Sequence, residues 1–261
     1  MKYSLLIILF ILVIQRMSNL PTYYIHDAQS DTLMKAIYSG DLELCKKIKF
    51  KLNLDNLDAD FRMIFPVKKA FQLACQCGHL NVAKWLRDND SRLWIILNKK
   101  TTNIDKIDTH HLAFLLACKY DKIHIVNWLL NLPEFSLDIF DTYANIESIT
   151  PFDSMHPITM ATMHGNLDIL IRLFDIMSSV SQVIINKAFD IACEKSYILI
   201  IKVIMTIYNL HKNDDILSGF MIACKHGNIE VVETLLSFMT SKTLQEARMV
   251  TLDQKVLELL C

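Results

Sequence analysis

Six short stretches of the chain carry the same order of apolar and polar positions. Each is anchored on an alanine, at Ala36, Ala74, Ala117, Ala161, Ala192 and Ala223, and three residues before it stands Leu33, Phe71, Phe114, Ile158, Phe189 or Phe220. An apolar stripe at spacing three to four that leads into a small residue predicts a short amphipathic helix whose alanine lies where another backbone passes closely. Four residues after the alanine come Gly40, Gly78, Asp121, Gly165, Ser196 and Gly227. A residue in the left-handed conformation at that point ends the helix and satisfies its loose carbonyls; glycine adopts it freely, aspartate at modest cost and serine less readily. Apolar residues then return at offsets six, eight and twelve, as in Leu80, Val82 and Leu86 or Ile229, Val231 and Leu235. This second set predicts a helix folding back on the first, so that one unit is an antiparallel helical hairpin. A seventh stretch keeps Ala247, Val256, Leu259 and Leu260 in register but has Thr251 at the glycine position, which reads as a degenerate C-terminal cap for an array of stacked units.

Composition sharpens this picture. The 261 residues include only 5 glycines, far below the roughly 7% usual in globular proteins. Sandwiches, barrels and Rossmann domains need many positive-φ turns, so the shortage favours an all-α protein, and four of the five glycines fall at the same offset from an alanine. The 27 Lys+Arg and 28 Asp+Glu give a net charge of -1, and no global field draws in nucleic acid or anionic lipid.

The segments LACQCGHLNVAKWL, residues 73–86, and IACKHGNIEVVETLL, residues 222–236, resemble the ankyrin repeat, whose family pattern runs TPLHLAAxxGHLEVVKLLL. The resemblance covers residues 31–261 and implies an ankyrin-type solenoid of stacked helical hairpins, about six repeats plus the degenerate cap. Two departures stand out. Only Pro157 keeps the proline of the TPLH segment, and its histidine position holds Gln72, Leu115, Thr159, Asp190 or Met221. Successive alanines lie 38, 43, 44, 31 and 31 residues apart against about 33 for the family, which places irregular inserted fingers mainly at 88–111 and 131–156. Ile-, Lys- and Asn-rich degenerate arrays of this kind are similar to ankyrin proteins of amoebae, their intracellular bacteria and giant DNA viruses, and the resemblance extends to engagement of a host protein.

Ahead of the array, residues 1–16 form an apolar leader and 17–30 a linker. Residues 5–14 are unbroken apolar positions flanked by Lys2; ten residues are too few to span a bilayer. They read either as a signal or anchor, giving a secreted or membrane-associated protein, or as an extension upstream of a natural start at Met17. Cys75, Cys118, Cys193 and Cys224 all follow their alanine directly, which suits small buried core residues that stay reduced, and so a cytoplasmic location.

Chemistry finds little material. No phosphate-binding glycine loop, HExxH or GxSxG motif occurs, so the expectation is no enzyme and no cofactor. Cys75, Cys77 and His79 point to different sides of a helix and form no zinc set, and His110-His111 read as solvated residues just ahead of a helix. The basic run Lys46, Lys47, Lys49 and Lys51, like Lys99-Lys100, reads as a solvated face. Residues 93–97 are apolar and either extend a repeat's core or form a partner patch. What remains is a surface for a partner protein of unknown identity, on a monomer. The resemblance puts that surface on the concave face, where offsets two, three and five supply Gln76, His79, Lys119, Tyr120, Lys122, His164, Asn166, Glu194, Lys195, Tyr197, Lys225, His226 and Asn228.

Overall fold

The computed structural model describes residues 28–52, 61–89, 109–133, 135–138, 140, 156–177 and 180–260. The leader at residues 5–14, Met17, the apolar run 93–97 and the Lys99-Lys100 pair lie outside them, as do the side chains of Lys49 and Lys51. All regular structure among the described residues is helical. The chain forms two compact units, residues 1–109 and 110–261. In unit 1, α1 (Ala28–Ser39) pairs with α2 (Leu42–Leu52), and α3 (Phe61–Cys77) with α4 (Leu80–Asn89). In unit 2 the helices are α5 (Thr109–Lys119), α6 (Ile123–Leu130), α7 (Pro157–Met163), α8 (Leu167–Ile176), α9 (Gln182–Glu194), α10 (Ile198–Tyr208), α11 (Asn213–His226), α12 (Ile229–Leu236), α13 (Ser241–Val250) and α14 (Gln254–Leu259).

The apolar pattern explains these pairs. Ala36, Ala74, Ala117, Ala161, Ala192 and Ala223 are all buried, and so are Phe71, Phe114, Ile158, Phe189 and Phe220 three residues earlier. The second helices supply Val82, Ile125, Ile169, Ile200 and Val231 to the same core; Leu44, at that position in the first hairpin, stays 38% exposed. First helices pack against first helices, α7 on α9, α9 on α11 and α11 on α13, while α8 contacts α10 and α12 contacts α14. Within each unit, a hairpin therefore covers the apolar flank of the one before it.

The turn between the two helices is built the same way six times. Gly40, Gly78, Asp121, Gly165, Ser196 and Gly227 all have positive φ, between 56° and 86°. The amide of the next residue donates to the alanine carbonyl, from Asp41, His79, Lys122, Asn166, Tyr197 and Asn228, at 2.9–3.0 Å. This is the six-to-one hydrogen bond of a Schellman ending. The offset-five residue then makes a tight turn, φ −83°, ψ 78° at Asn166 and φ −81°, ψ 76° at Asn228, close to an inverse γ-turn, and the second helix begins. Thr251 is different. It is extended, at φ −81° and ψ 139°, so the last turn is one residue out of step and Leu252 is thrown into solvent, 95% exposed.

The four thiols behind the alanines, Cys75, Cys118, Cys193 and Cys224, are fully buried. Burial pushes the first three far above the ordinary thiol range and Cys224 to about 11, so these sulfurs act as small apolar fillers. The histidine pair corrects an expectation. His110 lies inside α5 and is 3% exposed, because it stands four residues before Phe114 on the same stripe; His111 stacks on Phe135, with ring centroids 5.1 Å apart, and bonds the Ser136 carbonyl.

Candidate functional site

The sequence grouped offsets two, three and five as one exposed surface, and the structure divides them. Offset five is part-exposed at His79, Lys122, Asn166, Tyr197 and Asn228, and at His79, Asn166, Tyr197 and Asn228 it meets the preceding hairpin of the same unit. In unit 1, His79 Nε2 bonds the Tyr38 carbonyl at 2.9 Å, and its ring covers Gly40 so closely that a Cβ there would lie 2.5 Å from Nδ1. In unit 2, Asn166 Nδ2 donates to the carbonyls of Cys118 and Lys119, and Asn228 Nδ2 donates to those of Cys193 and Glu194 at 2.7 and 2.9 Å. These are last-turn carbonyls, which a helix leaves open or weakly bonded, as at Cys193, where the Ser196 amide donates only at 3.4 Å. The Tyr197 ring lies over Gly165, and Asp253, one step later in the out-of-phase last turn, lies over Gly227. Offset five is thus a brace between hairpins. A polar side chain at a turn looks solvated in one sequence; the neighbour's last-turn carbonyls, which claim it, belong to residues 34–48 positions away.

Offsets two and three do face out. Tyr120, His164, Glu194, Lys195, Lys225 and His226 are exposed, while Lys119 and, in unit 1, Gln76 are half-exposed. In unit 2 they form a row along four successive turns. The Lys119 ammonium sits 5.1 Å from the Tyr120 ring centre, and desolvation together with the Lys119 charge lowers the His164 pKa, so the third and fourth turns share one electrostatic surface. Glu194 and Lys195 pair at 3.7 Å. On the seventh hairpin the row turns apolar, with Met249 86% and Val250 41% exposed beside the outlying Leu252.

No protein-family model, curated protein or solved structure matches the chain. At the one hairpin that keeps the proline, the four positions are His156, Pro157, Ile158 and Thr159. There His156 Nδ1 accepts from the Ile158 amide at 3.2 Å, and the Thr159 hydroxyl donates to the His156 carbonyl at 2.8 Å.

Among the described residues no group of three or more His, Cys, Asp or Glu side chains forms a metal-binding cluster, and no helix is long and apolar enough to cross a membrane. Cys75 is buried, Cys77 half-buried and His79 committed to its brace. In unit 1 a shallow groove lies between Met34, Lys35, Tyr38 and Leu73.

Proposed function

We propose that the chain is a degenerate ankyrin-type array that binds a partner protein and does no chemistry of its own. The observation carrying this reading is the row of outward offset-two and offset-three side chains on successive hairpins of unit 2, set on turns that are braced to one another. Each brace fixes the distance between neighbouring turns, so Tyr120, His164, Lys195 and His226 are presented with little conformational freedom left to lose on binding. Tyrosine and histidine suit such a place because they offer large contact area on few rotatable bonds. A partner covering the row would bury on the order of 800 Å² of this chain. The resemblance extends the proposal to a host protein as that partner.

The test is affinity capture from cell lysate with the full chain and with a Tyr120→Ala, Lys195→Ala, His226→Ala variant. All three residues are exposed or on the turn surface, so the variant keeps its helical circular dichroism. A protein retained by the parent and lost by the variant supports the reading; identical captured sets overturn it. The unbroken apolar run at residues 5–14 favours a second reading, the same array tethered to or exported across a membrane. Fractionation of the full chain beside one starting at Met17 separates the two, and identical behaviour removes the tether.

A further inference from the structure

Charge is unevenly divided along this chain. Residues 1–109 carry 16 Lys+Arg against 11 Asp+Glu, whereas residues 110–261 carry 11 against 17. Unit 2 is therefore net acidic, yet its turn row reverses that sign: Lys119, Lys195 and Lys225 stand on it with His164 and His226, against Glu194 and the adjoining Asp121. The acidic excess lies elsewhere, for example at the exposed Asp168 and Asp175 of α8 and Glu230 and Glu233 of α12. A cationic strip on an otherwise acidic body is selective by design of its surroundings: a long polyanion such as nucleic acid is repelled by the rest of the unit, while a short acidic segment meets only the strip.

The strip also has a direction. Asp253 packs against Gly227, with its side-chain atoms 3.3 Å from where a Gly227 Cβ would stand. The seventh turn therefore follows directly on Lys225 and His226, and it carries Met249, Val250 and Leu252 instead of charge. Leu252 is exposed because Thr251 is extended where the other turns hold a left-handed residue. Neighbouring helices pack about 8–10 Å apart, so the five turns from Lys119 to Leu252 span roughly 35–40 Å, the length of about a dozen residues of extended chain.

We propose that the turn row of unit 2 binds an extended segment of a partner protein, about a dozen residues long, acidic along the lysine-bearing turns and apolar at the end that meets Met249, Val250 and Leu252. This rests on the protein-binding reading above and names the chemistry of the partner. Charge complementarity selects the acidic stretch, and the exposed apolar trio fixes which end of it docks where.

A phage-displayed library of random dodecapeptides, selected on the immobilised full chain, tests this. Selected sequences should be enriched in Asp and Glu over the input, with Leu, Ile, Met or Phe clustered at one end. The Lys195→Glu, Lys225→Glu variant, altered at two exposed positions, should reverse the enrichment to Lys and Arg, and Leu252→Ser should erase only the apolar cluster. Lys202→Glu, on the exposed side of α10 and away from the row, should select the parental sequences. A pool without acidic excess, or one unchanged by the charge reversal, overturns the inference. Retention of a single-stranded oligonucleotide by the parent but not by the reversed variant also overturns it, in favour of a nucleic-acid ligand. If the lysate capture still depends on Tyr120, Lys195 and His226 while the peptides show no acidic excess, the segment chemistry fails and the protein-binding reading stands; if both fail, the reading itself falls.

Discussion

Ser196 and Gly165 occupy the same turn position, at φ 59° and 74°, and the side chain alone separates them. A non-glycine residue in the left-handed region is strained by roughly 1–2 kcal/mol, so Ser196→Gly should be neutral or stabilising by up to about 1 kcal/mol once the freer unfolded chain is counted. Gly165→Val should destabilise by about 2 kcal/mol or more, since a branched side chain would be forced into that region with its Cβ 3.1 Å from the Tyr197 ring. Urea midpoints of the two variants check both signs, and equal shifts would remove the capping account. His156 offers a second residue-level test. Burial lowers its pKa from 6.5 to about 4, and its Nδ1 must be unprotonated to accept the Ile158 amide. The unfolded chain takes up the proton first, so this stability is complete above pH 6.5, falls as the pH drops toward 4 and levels off below that, by about 3 kcal/mol at most. His156→Asn, which keeps a capping oxygen and cannot titrate, should flatten that part of the urea-midpoint profile; a profile matching the parent's would assign the loss to other groups. Positive φ at Asp121 and Ser196 and the buried thiols were legible in the sequence because a repeated register exposes what each position must do. His110 was misread as solvated: it stands four residues ahead of Phe114 on the apolar stripe, but a polar side chain hides the burial that this spacing implies.

Hairpins are joined by contacts that no single hairpin's sequence declares. Asn228 holds two carbonyls at the end of α9, and Asn228→Ala would leave the part-buried Cys193 carbonyl to weak backbone donors such as the Ser196 amide at 3.4 Å, while water reaches the exposed Glu194. A loss of about 1–2 kcal/mol is expected, read as a shifted urea midpoint with unchanged helicity; no shift would mean that the brace contributes nothing. The fifth glycine makes the same point. Gly219 lies inside α11, away from any turn, where a Cβ would stand 2.6 Å from the Phe189 ring and 2.7 Å from the Cys193 sulfur. Alanine normally stabilises a helix interior by up to about 1 kcal/mol relative to glycine, but here overpacking against α9 should outweigh that by about 1–3 kcal/mol, so Gly219→Ala should lower the thermal midpoint. Four glycines are explained by position within the repeat. This one is explained only by its neighbour's bulk, which is why counting offsets leaves it over.

Over the whole molecule, the apolar pattern continues across Thr109 and His110, so sequence alone reads one array from 31 to 261, whereas compactness divides the chain into two units. Compactness depends on which hairpins touch, and the inserted stretches between them carry no periodic signal that would say. Within unit 2 the braces all point one way: a side chain from the later hairpin closes the turn of the earlier one, at Asn166, Tyr197, Asn228 and Asp253. Under load this makes the unit a series of clips that open in order. Pulled from its C-terminal end, Asp253 leaves Gly227 first, then Asn228 releases Cys193 and Glu194, then Tyr197 lifts from Gly165. Turns 31 residues apart should each release roughly 100 Å of slack, giving a sawtooth in a single-molecule extension trace where a unit without such clips would give way in one rupture.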